Sequence, residues 1–319
     1  MLRSLLISLS KAAWARKIVT HWKFARRVVR RFVAGETLEE ALEAVRTLNQ
    51  AGMVATIDHL GENTSSREEA VSAAADVLGI LDAIDRHQLR SNVSVKLSQI
   101  GLLIDEDLCR ENLRSLLLKA RETGNFIRID MEASNLTSPT IAVYRWAREQ
   151  GFENVGIVLQ SYLYRTEKDI QDLMVYDTRV RLCKGAYKEP ASVAFPEKHK
   201  VDENFDRLVD QLFTASHKWG LPALSPDGRV PSIPGIATHD QARIEHARTA
   251  ARMREVDNAC FEFQMLYGIR RDLQDQLIAD GYTVRIYVPF GTHWYPYFMR
   301  RLAERPSNLW FFVSNFFHR

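Results

Sequence analysis

Cysteine is scarce. Cys109, Cys183 and Cys260 are the only three in 319 residues, too few and too far apart for a disulfide framework or a local CxxC site, and they suit an intracellular, reducing compartment. Neither a Walker-type glycine loop nor a GxGxxG fingerprint occurs. That removes the P-loop and Rossmann readings but leaves flavin sites on other folds open. No compact group of His, Cys and acidic residues specifies zinc or another metal. No apolar run is long and uninterrupted enough to span a membrane, and neither an internal repeat nor a low-complexity tract is present. Acidic residues are missing from positions 1–31, where nine Lys or Arg stand, while the rest of the chain carries 34 basic and 40 acidic residues. The net charge of +3 therefore describes a local basic arm on a mildly acidic body, and no nucleic-acid partner is expected.

What is present suits one large α/β domain: 46% hydrophobic residues can fill a core, and 26% charged residues argue against a membrane bundle. Residues 1–34 read as a basic amphipathic helical arm. It can rest on an anionic lipid surface, pack on its own domain, or serve as a cleaved organelle-targeting segment. A helix is expected over Glu36–Gln50, with Gly52 marking its exit. Eight short apolar segments follow, at Val54–Ile57, Val93–Leu97, Phe126–Met131, Gly156–Gln160, Val180–Cys183, Gly235–Thr238, Phe261–Gln264 and Val284–Val288. Most gaps between them can hold a helix, and the Pro- and Gly-rich stretch Leu221–Pro234 reads as an external connection. The alternation predicts a (βα)8 TIM-like barrel over 35–308, followed by an aromatic tail at 309–319.

In such a barrel the C-terminal strand ends meet at one mouth. Asp58, Lys96, Asp130, Gln160, Arg181 with Lys184, His239 and Tyr287 all stand at or just beyond those ends. The segment RLCKGAYKEP sets Arg181 and Lys184 around a strand exit. Their charge suits a substrate anion or an electron-rich cofactor edge, and equally a surface ion pair. Near the C-terminus, a helix over Tyr297–Glu304 sets Tyr297, Arg300, Arg301 and Glu304 on nearby turns, where paired guanidinium groups can bind a carboxylate or form structural ion pairs. His239 can donate to a cofactor oxygen or stand as a structural histidine. Asp58, Asp130 and Glu132 are candidate acids or metal ligands. Asp130 beside Lys96 favours ionisation of both. Lys96 alone also permits Schiff-base chemistry of the aldolase kind.

The ordered segments VSVKLS, IRIDME, VGIVLQSYLYR, VRLCKGAYKE, ATHD, FEFQMLYG and YFMRRLAE together resemble the proline dehydrogenase family, from about Phe32 to Asn308. The chain is similar to monofunctional members, lacking room for the aldehyde dehydrogenase domain of the bifunctional ones. The resemblance implies a distorted (βα)8 barrel and FAD-dependent oxidation of L-proline to Δ1-pyrroline-5-carboxylate by hydride transfer from C5 to flavin N5. It further implies that Lys96, Arg300 and Arg301 receive the proline carboxylate, that Asp130 organises Lys96, and that Arg181 lies by flavin N5. Gln160, Lys184, Ala186, Thr238, His239 and Glu304 are implied cofactor contacts. Leu266, Tyr287 and Tyr297 are implied to enclose the substrate, with Tyr297 leaving little space for a hydroxylated ring. Phe290 departs from the tyrosine common in the family segment, which removes a hydroxyl there. A membrane quinone is the implied electron acceptor, placing the protein at the cytoplasmic face of a bacterial inner membrane or at the mitochondrial inner membrane. The competing classes are a Schiff-base aldolase, colourless and trapped at Lys96, and a non-enzymatic membrane-associated binding protein.

Overall fold

Successive side chains of a strand point to opposite faces, so a segment such as IRID sends Ile127 and Ile129 one way and Arg128 and Asp130 the other. The computed structural model describes residues 29–61 and 63–304, the last two for their backbone alone. It contains β1 (Val54–His59), β2 (Ser91–Val95), β3 (Ile127–Ile129), β4 (Val155–Gln160), β5 (Arg179–Cys183), β6 (Gly235–Ala237), β7 (Glu262–Leu266) and β8 (Thr283–Phe290). They form a closed barrel in sequence order. Every pairing is parallel, and β8 returns to β1 in the register Val54↔Arg285 through His59↔Phe290. The expected TIM-like barrel is the observed fold.

The helices among the described residues are α1 (Leu38–Gln50), α2 (Arg67–Arg86), α3 (Glu106–Glu122), α4 (Thr137–Glu149), α5 (Thr166–Leu173), α6 (Lys198–Lys218), α7 (Gln241–Met253), α8 (Arg271–Ala279) and α9 (Trp294–Glu304). The outward strand residues, among them Ile57, Val93, Val95, Ile129, Ile157, Leu182, Phe263 and Ile286, are fully buried in one apolar layer with helix residues such as Val45, Leu113, Leu117, Phe205 and Leu277. Each such side chain contributes roughly 1.5–3 kcal/mol by leaving water, so this layer dominates the stability of the barrel. The inward faces are polar. Thr56 donates to Asn92 at 2.6 Å, and Arg285 on β8 grips Glu262 on β7 at 2.7 Å with both side chains essentially inaccessible.

Two departures from a regular barrel shape the mouth. Helix α1 begins with a capping box between Thr37 and Glu40 and packs on both β1 and β8, the place a final helix would otherwise cover. Helix α9 is thereby released to the C-terminal end. There Trp294, Tyr297, Phe298 and Leu302 bury themselves with Val29, Phe32, Leu60 and Ile269, against Leu266 and Tyr287. The described end of the expected arm, Val29–Val33, is thus part of the barrel's packing; residues 1–28 and the tail 309–319 lie outside the described residues.

The stretch Leu221–Pro234 does more than connect. Gly228 O accepts from Arg285 Nη2 at 3.1 Å, and Arg229 O accepts from Asn92 Nδ2 at 3.0 Å, so this loop closes the floor beneath the polar interior. The buried backbone there needs partners, and the inward arginine and asparagine supply them.

Candidate active site

The mouth is built by strand alternation. Asp58 on β1, Ser94 on β2 with Lys96 two residues on, Asp130 just past β3, Arg181 on β5 and Tyr287 on β8 all point inward, and hydrogen bonds join them into one buried network. Lys96 Nζ lies 2.9 Å from Asp58 Oδ1 and 3.5 Å from Asp130 Oδ2, and 3.4 Å from the Tyr287 hydroxyl. Tyr287 donates to Asp130 Oδ2 at 2.7 Å, while Ser94 and Arg181 donate to Asp130 Oδ1 at 2.6 and 3.0 Å. Arg181 is oriented further by Gln264, which accepts from its Nε, and its guanidinium stands 5.3 Å from the centre of the Tyr287 ring. The expected pairing of Asp130 with Lys96 is therefore present, but Asp58 is the nearer partner of the lysine. That relation follows from the β1–β2 register, which sets Asp58 beside Ser94, with Lys96 the next inward residue.

The two carboxyls differ electrostatically. Burial pushes Asp58 up, Lys96 only partly offsets this, and the Asp130 charge adds to the rise. Burial also presses on Asp130, but Lys96, Arg181 and the hydroxyls of Ser94 and Tyr287 outweigh it and hold that carboxyl below its ordinary value. Burial and the two carboxylates push the Tyr287 hydroxyl far above the usual phenol range, so it acts as a donor. Glu132, the third candidate acid, accepts from the Ser98 N–H at 3.1 Å and its hydroxyl at 2.6 Å, which fixes the turn after Lys96.

Helix α9 carries the paired arginines as the spacing predicts. The Arg301 guanidinium lies 5.1 Å from the Tyr297 ring centre, and that of Arg300 lies 5.9 Å from the ring of Tyr187. Arg301 and Tyr297 are buried, and Tyr297 shares its apolar cluster with Leu266 and Tyr287, whose hydroxyl touches Lys96. The contact to Tyr187 was not expected; its place in the KGAY turn was the available signal. The Glu304 side chain lies outside the described residues.

Around β4 to β6, Gln160 donates to the carbonyls of Met131 and Glu132 at 3.4 and 3.2 Å, while its Oε1 is buried with no donor in reach. Gly185 adopts φ +110, and a Cβ there would lie 2.4 Å from the Tyr162 ring; only glycine lets the chain turn there, bringing Ala186 round. Lys184 is held by Asp202, and by Asp240 at 2.7 Å. Its charge is thus balanced by carboxylates at the rim. Thr238 is buried and accepts from the Asp240 N–H at 3.1 Å. His239 Nε2 lies 2.9 Å from the backbone nitrogen of Leu266. A backbone N–H can only donate, so Nε2 is the acceptor and the neutral ring carries its proton on Nδ1. Among the described residues no group of His, Cys, Asp and Glu has the arrangement to hold a metal ion, and no helix is long and apolar enough to cross a membrane.

A family model described as "Proline dehydrogenase" matches residues 41–313. Proline dehydrogenase 1 of Bacillus subtilis is 41% identical over 286 residues, covering 89% of this chain and 89% of that protein. Proline dehydrogenase 2 of the same organism is 38% identical over 309 residues, covering 97% and 96%. The proline dehydrogenase of Deinococcus radiodurans is 41% identical over 297 residues, covering 92% and 90%. Among solved structures, proline utilization A of Bdellovibrio bacteriovorus inactivated by N-propargylglycine has a TM-score of 0.79 at 23% identity, over 91% of this chain and 34% of that one. At that identity the likeness speaks for the fold.

Proposed function

The chain belongs to the proline dehydrogenase family, and from that premise we propose that it oxidises L-proline to Δ1-pyrroline-5-carboxylate with FAD as its cofactor. The observation that carries this reading is the buried cation cluster at the mouth: Lys96 set between Asp58 and Asp130, beneath a helix that brings two arginines. An amino-acid carboxylate is the ligand such a cluster recognises, since guanidinium groups bind both its oxygens and the ammonium adds charge. Lys96, Arg300 and Arg301 would hold that carboxylate, and Leu266, Tyr287 and Tyr297 would enclose the ring.

The residues present fit a flavin. Gln160 offers a buried acceptor oxygen that lacks a donor, suited to an imide N–H, and an unsatisfied buried acceptor costs about 1–3 kcal/mol. Arg181, Thr238 and His239, the last through its Nδ1 proton, offer donors to the electron-rich edge and the attached chain. Ala186 would give the close approach. When bound, FAD would supply the acceptor for the hydride lost from proline C5, while the ring nitrogen gives up its proton as the C5–N double bond forms. The chain's own residues do the rest: they orient the ring by its carboxylate, exclude water with the aromatic wall, and offer fixed positive charge where electron density builds up.

The competing reading, an imine at Lys96, needs a free amine, whereas this lysine is paired with two carboxylates. Visible absorption of the purified protein before and after anaerobic L-proline tests the proposal. A flavin spectrum that bleaches is expected. A colourless protein that stays inactive after FAD reconstitution overturns the reading.

We further propose that a membrane quinone reoxidises the flavin and that the basic segment 1–28 attaches the protein to the anionic inner face of a membrane. Its composition supports this. Binding to phosphatidylglycerol vesicles should then weaken as salt rises; no binding at any salt concentration would count against it.

A further inference from the structure

We propose that Glu189 is a positioning residue for the substrate clamp: its carboxylate buckles the β5–α6 loop across the mouth and so holds Tyr187 against Arg300. This rests on the reading of the mouth as the proline site.

The loop leaves β5 at Cys183. It is tied at Lys184, whose carbonyl accepts from the Tyr162 N–H at 2.9 Å, and again from Phe195, whose N–H donates to Tyr162 O at 2.8 Å. Between these two backbone ties stand Ala186 and Tyr187, the latter facing the Arg300 guanidinium at 5.9 Å. Glu189 reaches back from this span over the end of β4. It accepts from the Ser134 N–H at 2.8 Å, from the Ser134 hydroxyl, and from Tyr162 OH at 3.5 Å. Ser134 opens the turn that follows Asp130 and Glu132, so one carboxylate ties the loop after β5 to the loop after β3.

A carboxylate suits this task because its two oxygens accept from several donors at once, and charge makes those bonds strong. Its effect travels one contact further. A guanidinium is attracted to an aromatic face, so a loop that holds the Tyr187 ring still also limits where Arg300 can point. Releasing the loop should therefore cost substrate capture more than the chemical step.

The test compares Glu189→Ala, Glu189→Gln and the Ser134→Ala/Tyr162→Phe pair in the flavin-loaded protein. For Glu189→Ala, KM for L-proline should rise about tenfold with kcat held within about twofold, the loss of one charge-assisted hydrogen bond. Glu189→Gln, which keeps an acceptor for the Ser134 N–H, should recover most of the loss. In a Tyr187→Ala background, Glu189→Ala should add almost nothing, because both act through the same arginine. An unchanged KM with only a lower Tm, or full additivity in that background, overturns the proposal. A second readout is independent of turnover. The Ser134→Ala/Tyr162→Phe pair leaves the sequence around Lys188 intact and removes both hydroxyl donors, leaving Glu189 only the residue 134 backbone N–H, so the loosened loop should be cut faster by trypsin after Lys188. Unchanged cleavage overturns the buckle even if the protein never oxidises proline. Absence of turnover by the parent protein overturns the functional reading instead.

Discussion

Lys96 Nζ donates to both carboxylate oxygens of Asp58, at 2.9 and 3.0 Å, and stands 3.5 Å from Asp130 Oδ2. Burial pushes the Asp58 carboxyl up despite its lysine, which means that desolvation outweighs the attraction, as it often does for buried ion pairs. Asp130 is farther from Lys96, but it also compensates Arg181 and is held below its ordinary value.

The order of stabilities should follow. Asp130→Asn takes from buried Arg181 the carboxylate it pairs with and should cost about 3 kcal/mol, whereas Asp58→Asn, with Lys96 still facing Asp130, should cost well under half of that. Thermal melts at neutral pH measure both. Equal losses, or a larger loss for Asp58→Asn, would contradict the electrostatic ranking.

The barrel itself was legible because alternation along each strand separates outward Ile, Val and Leu from inward polar residues. IRID and VSVK already carry the two faces, and with them the inward lysine and aspartate. What escaped was pairing across strands: that Asp58 outranks Asp130 as the neighbour of Lys96 depends on register, which a strand's own sequence does not contain. The floor loop escaped for another reason. Pro and Gly in Leu221–Pro234 announce irregular backbone, but only the inward Asn92 and Arg285 reveal that its carbonyls are needed there. Lys184 shows the same limit, since its partners Asp202 and Asp240 lie on later elements that the local motif does not contain.

The opposite shifts of the two aspartates predict a pH signature. Because the folded value of Asp58 is raised, its charge costs stability above that value, and the cost fades as pH falls through it. Because the folded value of Asp130 is depressed, its charge contributes stability above the unfolded value of about 3.9, and this is lost only as pH falls through the lower folded one. The asparagine has no such cost to shed, so the Tm deficit of Asp58→Asn relative to the parent should widen in weakly acidic buffer. The difference for Asp130→Asn should persist to about pH 4. Parallel behaviour of the two variants would contradict the shifts.

On the proposed reading, Arg300→Met and Arg301→Met each remove donors from the carboxylate clamp while leaving the flavin contacts in place. Each should raise KM for L-proline by about ten- to a hundredfold, the range of one or two charge-assisted hydrogen bonds, with the flavin spectrum retained. Arg301→Met should be the more severe, because Arg301 is buried against Tyr297 whereas Arg300 is only half-buried. Titration of the oxidised protein with a non-reacting cyclic carboxylate, followed by the flavin absorption change, checks this without turnover. Unchanged affinity in folded variants would remove both arginines from the site.

Tyr297 should decide ring substitution. Its side chain is buried in the cluster against which Leu266 and Tyr287 pack, so an added hydroxyl on the substrate ring meets a filled wall, at about 1–3 kcal/mol of overpacking. Tyr297→Ser opens volume there while keeping a shorter hydroxyl. The same change removes the ring beneath Arg301, so capture of proline itself should weaken. The ratio of kcat/KM for L-proline over hydroxyproline should thus fall about tenfold from both directions. Tyr297→Phe separates the two effects, because it keeps the ring for Arg301 and the steric wall; it should retain the parent's preference. If Tyr297→Ser discriminates as strongly as the parent does, the wall that excludes the hydroxyl lies elsewhere in the mouth.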